Sequence, residues 1–315
     1  MFTFRHYQSG DEKAIVELWN KTLKEDPITP KRFSHLVLLD ANFDPVGLRL
    51  AFVKEKLIGV VYAVRRLVPL GVNLETDNGW IPFFFVAEDY QKQDVASKLF
   101  HDAEFFLQEL GRTSVFFASY APNYILPGLD EEAYPSGYQF LLKQGFQKLY
   151  SPVAMDRSLI KWKPHKEIEQ LKALRESEGF SFKQLENQDI YEIILFANQQ
   201  FNPDWGRAIR EGLLQGLPMG QVLVIRFKGE VVGFCMYGGY EGIAERFGPF
   251  GVAETMQGKG LGKILLQDCL QQMRSEGLHH AWFLWTSEKS AAGHLYLKAG
   301  FSVTRRFHVM KKELT

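Results

Sequence analysis

The residues with the clearest chemical reading lie in one run, Phe247-Gly248-Pro249-Phe250-Gly251-Val252-Ala253-Glu254-Thr255-Met256-Gln257-Gly258-Lys259-Gly260-Leu261-Gly262. An apolar strand enters a glycine-rich loop, and the loop enters an amphipathic helix. Glycine admits positive φ and lets a ligand come close to the backbone. Successive N–H groups in such a loop converge as an anion nest, and the free N–H groups and dipole of the helix start reinforce it. The pattern is that of a phosphate site, with Lys259 as a charge at its rim. It is not a P-loop, because no Gly-Lys-Ser/Thr follows at the required spacing. It is not the dinucleotide fingerprint either, because Gly262 falls one residue too early. A flexible surface loop would account for the glycines alone.

The elements needed to position this run occur twice. Phe2-Thr3-Phe4-Arg5 matches Phe180-Ser181-Phe182-Lys183, and Lys54-Glu55-Lys56-Leu57-Ile58-Gly59 matches Lys228-Gly229-Glu230-Val231-Val232-Gly233. Gln91 matches Gln257, and Gly145-Phe146 matches Gly300-Phe301. The matches keep their order and their separation shrinks along the chain, as expected of a duplicated domain with insertions in its first copy. One insertion falls at residues 121–130. Each half reads as a short strand, two helices, a hairpin, a strand running into a loop and long helix, a strand, a short helix and a last strand. The long helices carry Val95, Leu99, Ala103, Phe106 and Leu110, or Leu261, Leu265, Cys269 and Met273, at helical spacing, with Gly111 and Gly277 as stops. The class is α/β (α+β) in both halves. The boundary is expected between 1–160 and 161–315, with a helix over His165–Glu178 bridging them.

Composition narrows the classes. The 315 residues exceed a common single domain. At 46% hydrophobic and 23% charged, the chain is globular, not disordered. Thirty-seven basic and 37 acidic residues give zero net charge, so neither nucleic acid nor an anionic membrane is an expected partner. Two cysteines, Cys235 and Cys269, cannot build a disulfide scaffold or a metal cage, and no metal is expected. No run approaches the roughly 20 apolar residues of a membrane span, and the start lacks a signal-peptide core. A cytoplasmic location is the expectation.

The run at Gln257, Gly260 and Gly262 resembles the acyl-CoA loop of the GNAT superfamily of N-acetyltransferases, Gln/Arg-x-x-Gly-x-Gly/Ala. Downstream, Ala292, Leu295-Tyr296, Lys298 and Gly300-Phe301 are similar to the superfamily's Ala-x-x-Leu-Tyr-x-Lys-x-Gly-Phe ending, although Lys289 replaces the Asn that often opens it. The resemblance covers about Phe180 to Leu314. It implies tandem copies of a mixed, twisted, splayed sheet flanked by helices, with acetyl-CoA as acyl donor. It further implies that Phe250 and Val252 line the pantetheine, and that the backbone of Gln257, Gly258, Lys259, Gly260, Leu261 and Gly262 holds the pyrophosphate. Tyr296 takes the place of the tyrosine near the thioester sulfur. The first half departs from the motif: Asp94 stands where Gly260 does and Leu141 where Tyr296 does. A carboxylate about 4 Å from a phosphate is repelled by about 4 kcal/mol at an effective dielectric near 20. The first half is therefore expected to be a degenerate copy.

Acetyl transfer to an amine needs a neutral amine, and an alkyl amine is only about 0.04% neutral at pH 7. Glu245, with Glu241 near it, is the candidate base, although a solvated strand-end acid is an equal explanation. Val252 N–H is a candidate oxyanion donor and Tyr296 a candidate acid. Full proton transfer from a phenol to a thiolate is uphill by roughly 2 kcal/mol, so a hydrogen bond is the expected contribution. Asp204 and Trp205 are the candidate acceptor residues, an acid with an aromatic suiting a cationic amine. The turn signal of Pro203-Asp204 explains Asp204 as well. His279 and His280 alternate across a strand and cannot act together. The acceptor, a small-molecule or peptide amine, is not specified, and the oligomeric state is open, a monomer being sufficient. The alternatives are an aminoacyl or other acyl transferase on the same fold, and a non-catalytic CoA-binding scaffold.

Overall fold

The computed structural model describes residues 1–69, 74–121, 123 and 125–314. In chain order the elements begin with β1 (Phe2–His6), α1 (Glu12–Thr22), α2 (Pro30–Phe33, continued by a π-turn over Ser34–Leu38), β2 (Leu48–Val53), β3 (Lys56–Val64) and β4 (Asn78–Val86). Then come α3 (Val95–Glu109), β5 (Ser114–Phe117), α4 (Pro135–Lys143), β6 (Gln147–Tyr150), β7 (Val153–Ser158), α5 (Lys166–Ser177), β8 (Phe180–Gln184), α6 (Ile190–Gln200) and α7 (Pro203–Leu214). The chain continues with β9 (Val222–Phe227), β10 (Glu230–Tyr237), β11 (Phe247–Val252), α8 (Leu261–Ser275), β12 (His280–Thr286), α9 (Ala291–Lys298), β13 (Ser302–Arg306) and β14 (Val309–Glu313). No helix among the described residues is long and apolar enough to cross a membrane.

The chain forms two units, Met1–Pro152 with Arg306–Thr315, and Val153–Arg305. They do not divide at one cut near residue 160, where the sequence placed the boundary. In the first unit seven strands run β1-β2-β3-β4-β5-β14-β6. β14 lies between β5 and β6, antiparallel to both, with Met310 opposite Phe117 and Lys148. In the second unit β11-β10-β9-β8 form one sheet and β12-β7-β13 another, with β7 antiparallel to β12. Each half of the sequence thus supplies a strand to the other half's unit. Sequence periodicity finds such a strand but not its partner, because pairing is a long-range choice.

Local signals built the helices as read. Asn202 caps α7 by accepting the Trp205 N–H at 3.2 Å, with Pro203 at the first turn. Gly111 and Gly277 end α3 and α8 at φ 76° and 86°, the left-handed conformation that favours glycine. One face of α8 (Leu261, Leu265, Cys269 and Met273) is buried with Phe247, Phe283, Tyr296 and Phe301 in the second unit's core. On α3, Leu99, Phe100, Ala103 and Leu107 are buried against Ile58, Val61 and Ile81.

A chain cut after residue 160 keeps β7 without its partners and loses β14 from the interior of the first sheet. We expect fragment 1–160 to show no cooperative thermal transition. Residues 1–152 joined by a flexible linker to 306–315 should show one by circular dichroism. A cooperative melt from 1–160 alone would refute this account.

Candidate functional site

The site in the second unit starts from a failure of pairing. Arg246 makes a single parallel bridge to Trp282, supported by Trp282 N–H donating to Glu245 O at 3.1 Å. Beyond it β11 and β12 belong to separate sheets, and β11 is an edge. Ala253 N–H donates to Val232 O on β10 at 2.9 Å. Successive N–H groups along a strand alternate between its two edges, so those of Val252 and Phe250 point to the open side. Both side chains are half-buried.

After β11 a short 3-10 turn over Glu254–Met256 leads to Gln257 and the loop. Gly258 and Gly260 take φ 81° and 77°. Lys263 and Ile264 donate to Gly260 O at 3.0 and 3.3 Å, which starts α8. Among the described residues, no acceptor engages the N–H groups of Gly258, Lys259, Gly260, Leu261 or Gly262. Five consecutive free donors at the start of a 15-residue helix fit a diphosphate. Lys259 is exposed at the rim.

Sequence reasoning missed what holds this loop. Arg175 of α5 donates from Nε to Lys259 O at 2.9 Å and pairs with Glu178 at 2.6 Å. Leu171 of the same helix closes on Gly260, where an added Cβ would lie 2.6 Å from Leu171 Cδ2. Helix α5 is fixed to α8 by Lys172–Asp268 at 2.8 Å and by His165 N–H donating to Gln267 Oε1 at 2.7 Å. Glycine is favoured at 260 for two reasons, its left-handed φ and the closeness of Leu171, and only the conformational one is visible in sequence.

Tyr296 sits on α9, whose N-cap Ser290 accepts the Gly293 N–H at 3.1 Å. The ring is 6% exposed and packs on Phe283 at 4.6 Å, Phe301 at 5.5 Å and Phe250 at 5.8 Å. The contact with Phe250 joins it to the open edge of β11. Burial, with smaller effects from Cys235 and Cys269, pushes the phenol well above its ordinary range. It therefore stays protonated through the neutral range, a donor and not a base. Both cysteines are fully buried in the same core.

The other expected residues have defined places. Glu245 Oε1 accepts the His279 and His280 N–H groups at 3.0 and 3.2 Å, so this carboxylate caps the start of β12. Glu241 pairs with Arg246 at 2.9 Å in a buried ion pair, and the guanidinium lies over the Tyr240 ring at 4.5 Å. Trp205 stacks on Phe201 at 4.3 Å and 22°, and Phe201 closes on Gly251, where a Cβ would lie 2.2 Å from its ring. Trp205 and Phe201 are thus joined to β11, beside the residues expected to line the pantetheine. Asp204 is half-buried in the first turn of α7.

The first unit repeats this loop's backbone hydrogen bonds and left-handed angles. Ala87 N–H donates to Ile58 O at 2.8 Å, Lys92 and Asp94 take φ 59° and 60°, and Lys98 N–H donates to Asp94 O at 2.9 Å. Asp94 is exposed. Its repulsion of a phosphate is correspondingly nearer the value in water, about 1 kcal/mol at 4 Å.

Replacing Gly260 by alanine strains φ, at about 1–3 kcal/mol, and drives Cβ into Leu171. We expect Gly260→Ala to lower Tm and to weaken binding of a diphosphate ligand at least tenfold. The double variant Gly260→Ala/Leu171→Ala should recover part of both. Failure of Leu171→Ala to restore anything in this background would remove α5 from the account.

Residues 218–303 match the profile of the acetyltransferase (GNAT) domain. No curated protein matches the chain. Solved structures do match over its whole length. A glucosamine N-acetyltransferase region related to GCN5, in a fungal multi-domain β-N-acetylglucosaminidase, aligns at TM-score 0.83 and 17% identity over 99% of this chain. The chain spans 38% of that protein's length. A GCN5-related N-acetyltransferase from Sphaerobacter thermophilus aligns at TM-score 0.71 and 16% identity, over 99% of this chain and 96% of that one. A tandem GNAT protein of the clavulanic acid biosynthesis pathway aligns at TM-score 0.66 and 12% identity, over 100% and 99%. With its loop and splayed sheets, the chain has a fold similar to that of a two-domain GNAT protein, and its residues 218–303 match the acetyltransferase (GNAT) domain.

Proposed function

We propose that the second unit transfers an acetyl group from acetyl-CoA to a primary amine. The observation that carries this reading is the row of five free N–H groups at the start of α8, beside the unpaired edge of β11. The diphosphate lies on the backbone of Gln257 to Gly262. The pantetheine follows the edge of β11 past Phe250 and Val252, whose N–H groups face it. The thioester supplies the activated acetyl group. Val252 N–H takes its carbonyl oxygen, and Tyr296 donates a hydrogen bond to the departing sulfur. A phenol raised by burial is a weaker acid than its unperturbed form, so this donation stops short of proton transfer. Asp204 and Trp205 receive the acceptor ammonium, which must lose a proton before attack. The glucosamine N-acetyltransferase named for the fungal structure makes an amino sugar the first acceptor to test. In this reading the first unit is not a second catalytic centre, since Leu141 occupies the position of Tyr296.

Acetyl-CoA titrated by calorimetry should bind, and turnover should follow with glucosamine or another primary amine. Tyr296→Phe should lower kcat about ten- to a hundredfold with little change in KM. The raised phenol adds no falling limb below about pH 10, so the rate should climb with pH as the amine deprotonates. An alkaline limb that disappears in Tyr296→Phe would overturn this role. Glu245→Gln keeps an oxygen for the His279 and His280 N–H groups, so activity within a few-fold of wild type is expected. A loss of a hundredfold or more would instead make Glu245 the base. Absence of acetyl-CoA binding would sink the whole reading.

A further inference from the structure

Three side chains of the first unit stand in a line that acetyl transfer does not use. Ser151 Oγ lies 2.9 Å from His308 Nδ1, and His308 Nε2 lies 2.8 Å from Glu131 Oε2. An ionised carboxylate only accepts hydrogen bonds, so Nε2 carries the proton of the neutral imidazole. Nδ1 then presents its lone pair, and the Ser151 hydroxyl donates to it. A hydroxyl donating to an imidazole that is itself held by a carboxylate is the arrangement that turns serine into a nucleophile. The ring is turned relative to the serine-protease arrangement, with Nδ1 facing the hydroxyl instead of Nε2.

The backbone fixes each member. His308 N–H donates to Leu129 O at 2.7 Å, and Leu129 N–H donates to His308 O at 2.9 Å. Phe307 N–H donates to Pro152 O at 3.0 Å, which holds the residue after Ser151 to the same corner. Pro152 also restricts Ser151 to extended backbone. Glu131 lies in a turn where Asp130 Oδ1 accepts the Glu132 and Ala133 N–H groups at 3.1 Å. The Tyr138 ring stands 5.1 Å from the imidazole and limits its rotation. The imidazole is 12% exposed, whereas Ser151 is open to solvent. The Ser151 N–H, one residue past β6, meets no backbone acceptor among the described residues, and a nucleophile's own N–H is an established oxyanion donor. Leu149 and Tyr150, both about half exposed, give this strand end an apolar surface.

We propose that Ser151 is a nucleophile toward small activated carboxylic esters, with His308 as its base and Glu131 as a positioning residue. Oγ bonds to the carbonyl carbon as its proton passes to Nδ1. The bond from that carbon to the alcohol oxygen breaks, and the leaving oxygen takes the proton from Nδ1. Water then attacks the acyl-serine, giving a proton to Nδ1. The acid departs as Oγ recovers that proton. The sequence of steps uses neither acetyl-CoA nor a counterpart of Tyr296, so it stands apart from acetyl transfer in the second unit.

The test is p-nitrophenyl acetate on the full chain without acetyl-CoA, read by nitrophenolate release and by mass spectrometry of the peptide that holds Ser151. An acetyl group should appear on Ser151, and Ser151→Ala should remove it without lowering Tm. His308→Gln should slow acetylation of Ser151 about a hundredfold. Glu131→Gln should slow it about tenfold at saturating ester with half-saturation unchanged, and Glu131→Asp should recover part of the rate. Ser151→Cys gives a measurement that leaves His308 in place. Beside the imidazole its thiol should react with iodoacetamide at mildly acidic pH at least about tenfold faster than N-acetylcysteine does. Cys235 and Cys269 are buried and do not compete. Acetylation confined to lysines would overturn the proposal, as would acetylation of Ser151 that persists unslowed in His308→Gln. A Ser151→Cys thiol no faster than N-acetylcysteine would overturn it as well.

Discussion

A row of backbone N–H groups left without internal acceptors is the feature around which the second unit is arranged. Such donors are normally spent on neighbouring carbonyls. Keeping five of them free requires a loop whose residues turn left-handed twice, at Gly258 and Gly260, and a helix that starts before its first turn can close on itself. The loop needs a brace on its outer side, which Leu171 and Arg175 supply. It also needs a strand that delivers the chain without consuming donors on its open edge. That strand is β11, which stays with β10 and leaves β12 after one bridge. The aromatic group of Phe247, Phe283, Tyr296 and Phe301 packs around this divergence and brings the phenol to Phe250.

The two copies show how far such a frame tolerates substitution. Lys92 and Asp94 hold the left-handed angles that Gly258 and Gly260 hold, at a cost in strain that the first unit evidently sustains. The backbone scaffold is therefore less sensitive to sequence than the motif implies. What changes is the chemistry beside that frame: a carboxylate by the donors and a leucine for the tyrosine.

Much of this was legible in the residues. The strand, loop and helix from Phe247 to Met273 follow from glycine placement and period, and the repeat follows from ordered matches such as Gly145-Phe146 with Gly300-Phe301. Trp205 stands in the first turn of α7, as the Asn202-Pro203 signal places it, and its stacking on Phe201 is visible only in the fold. Other features depend on partners far away in sequence. Glu245 reads in sequence as a strand-end acid, and only the fold shows that the His279 and His280 N–H groups donate to its Oε1. Leu171 and Arg175 belong to a polar helix that reads as a connector, and nothing in their own neighbourhood marks them as supports for Gly260. The carboxylate of Asp94 is legible in sequence, but its exposure, which sets how strongly the charge acts, is not.

The position of β14 bears on how the molecule comes into being. It is an interior strand of the first unit, yet it is made of the segment Val309–Glu313 and pairs with residues nearly two hundred positions earlier. As the chain emerges during synthesis, the first unit can collapse around α1, α3 and β1 to β5, but its sheet stays open between β5 and β6 until the second unit has been made. Contacts so distant in sequence form slowly, because the intervening chain must be closed into a loop first. During that interval the edges of β5 and β6 are exposed to pairing with other chains. The nascent protein is thus most vulnerable to misassembly in its oldest part, and chaperone demand should track the interval before its last strand arrives.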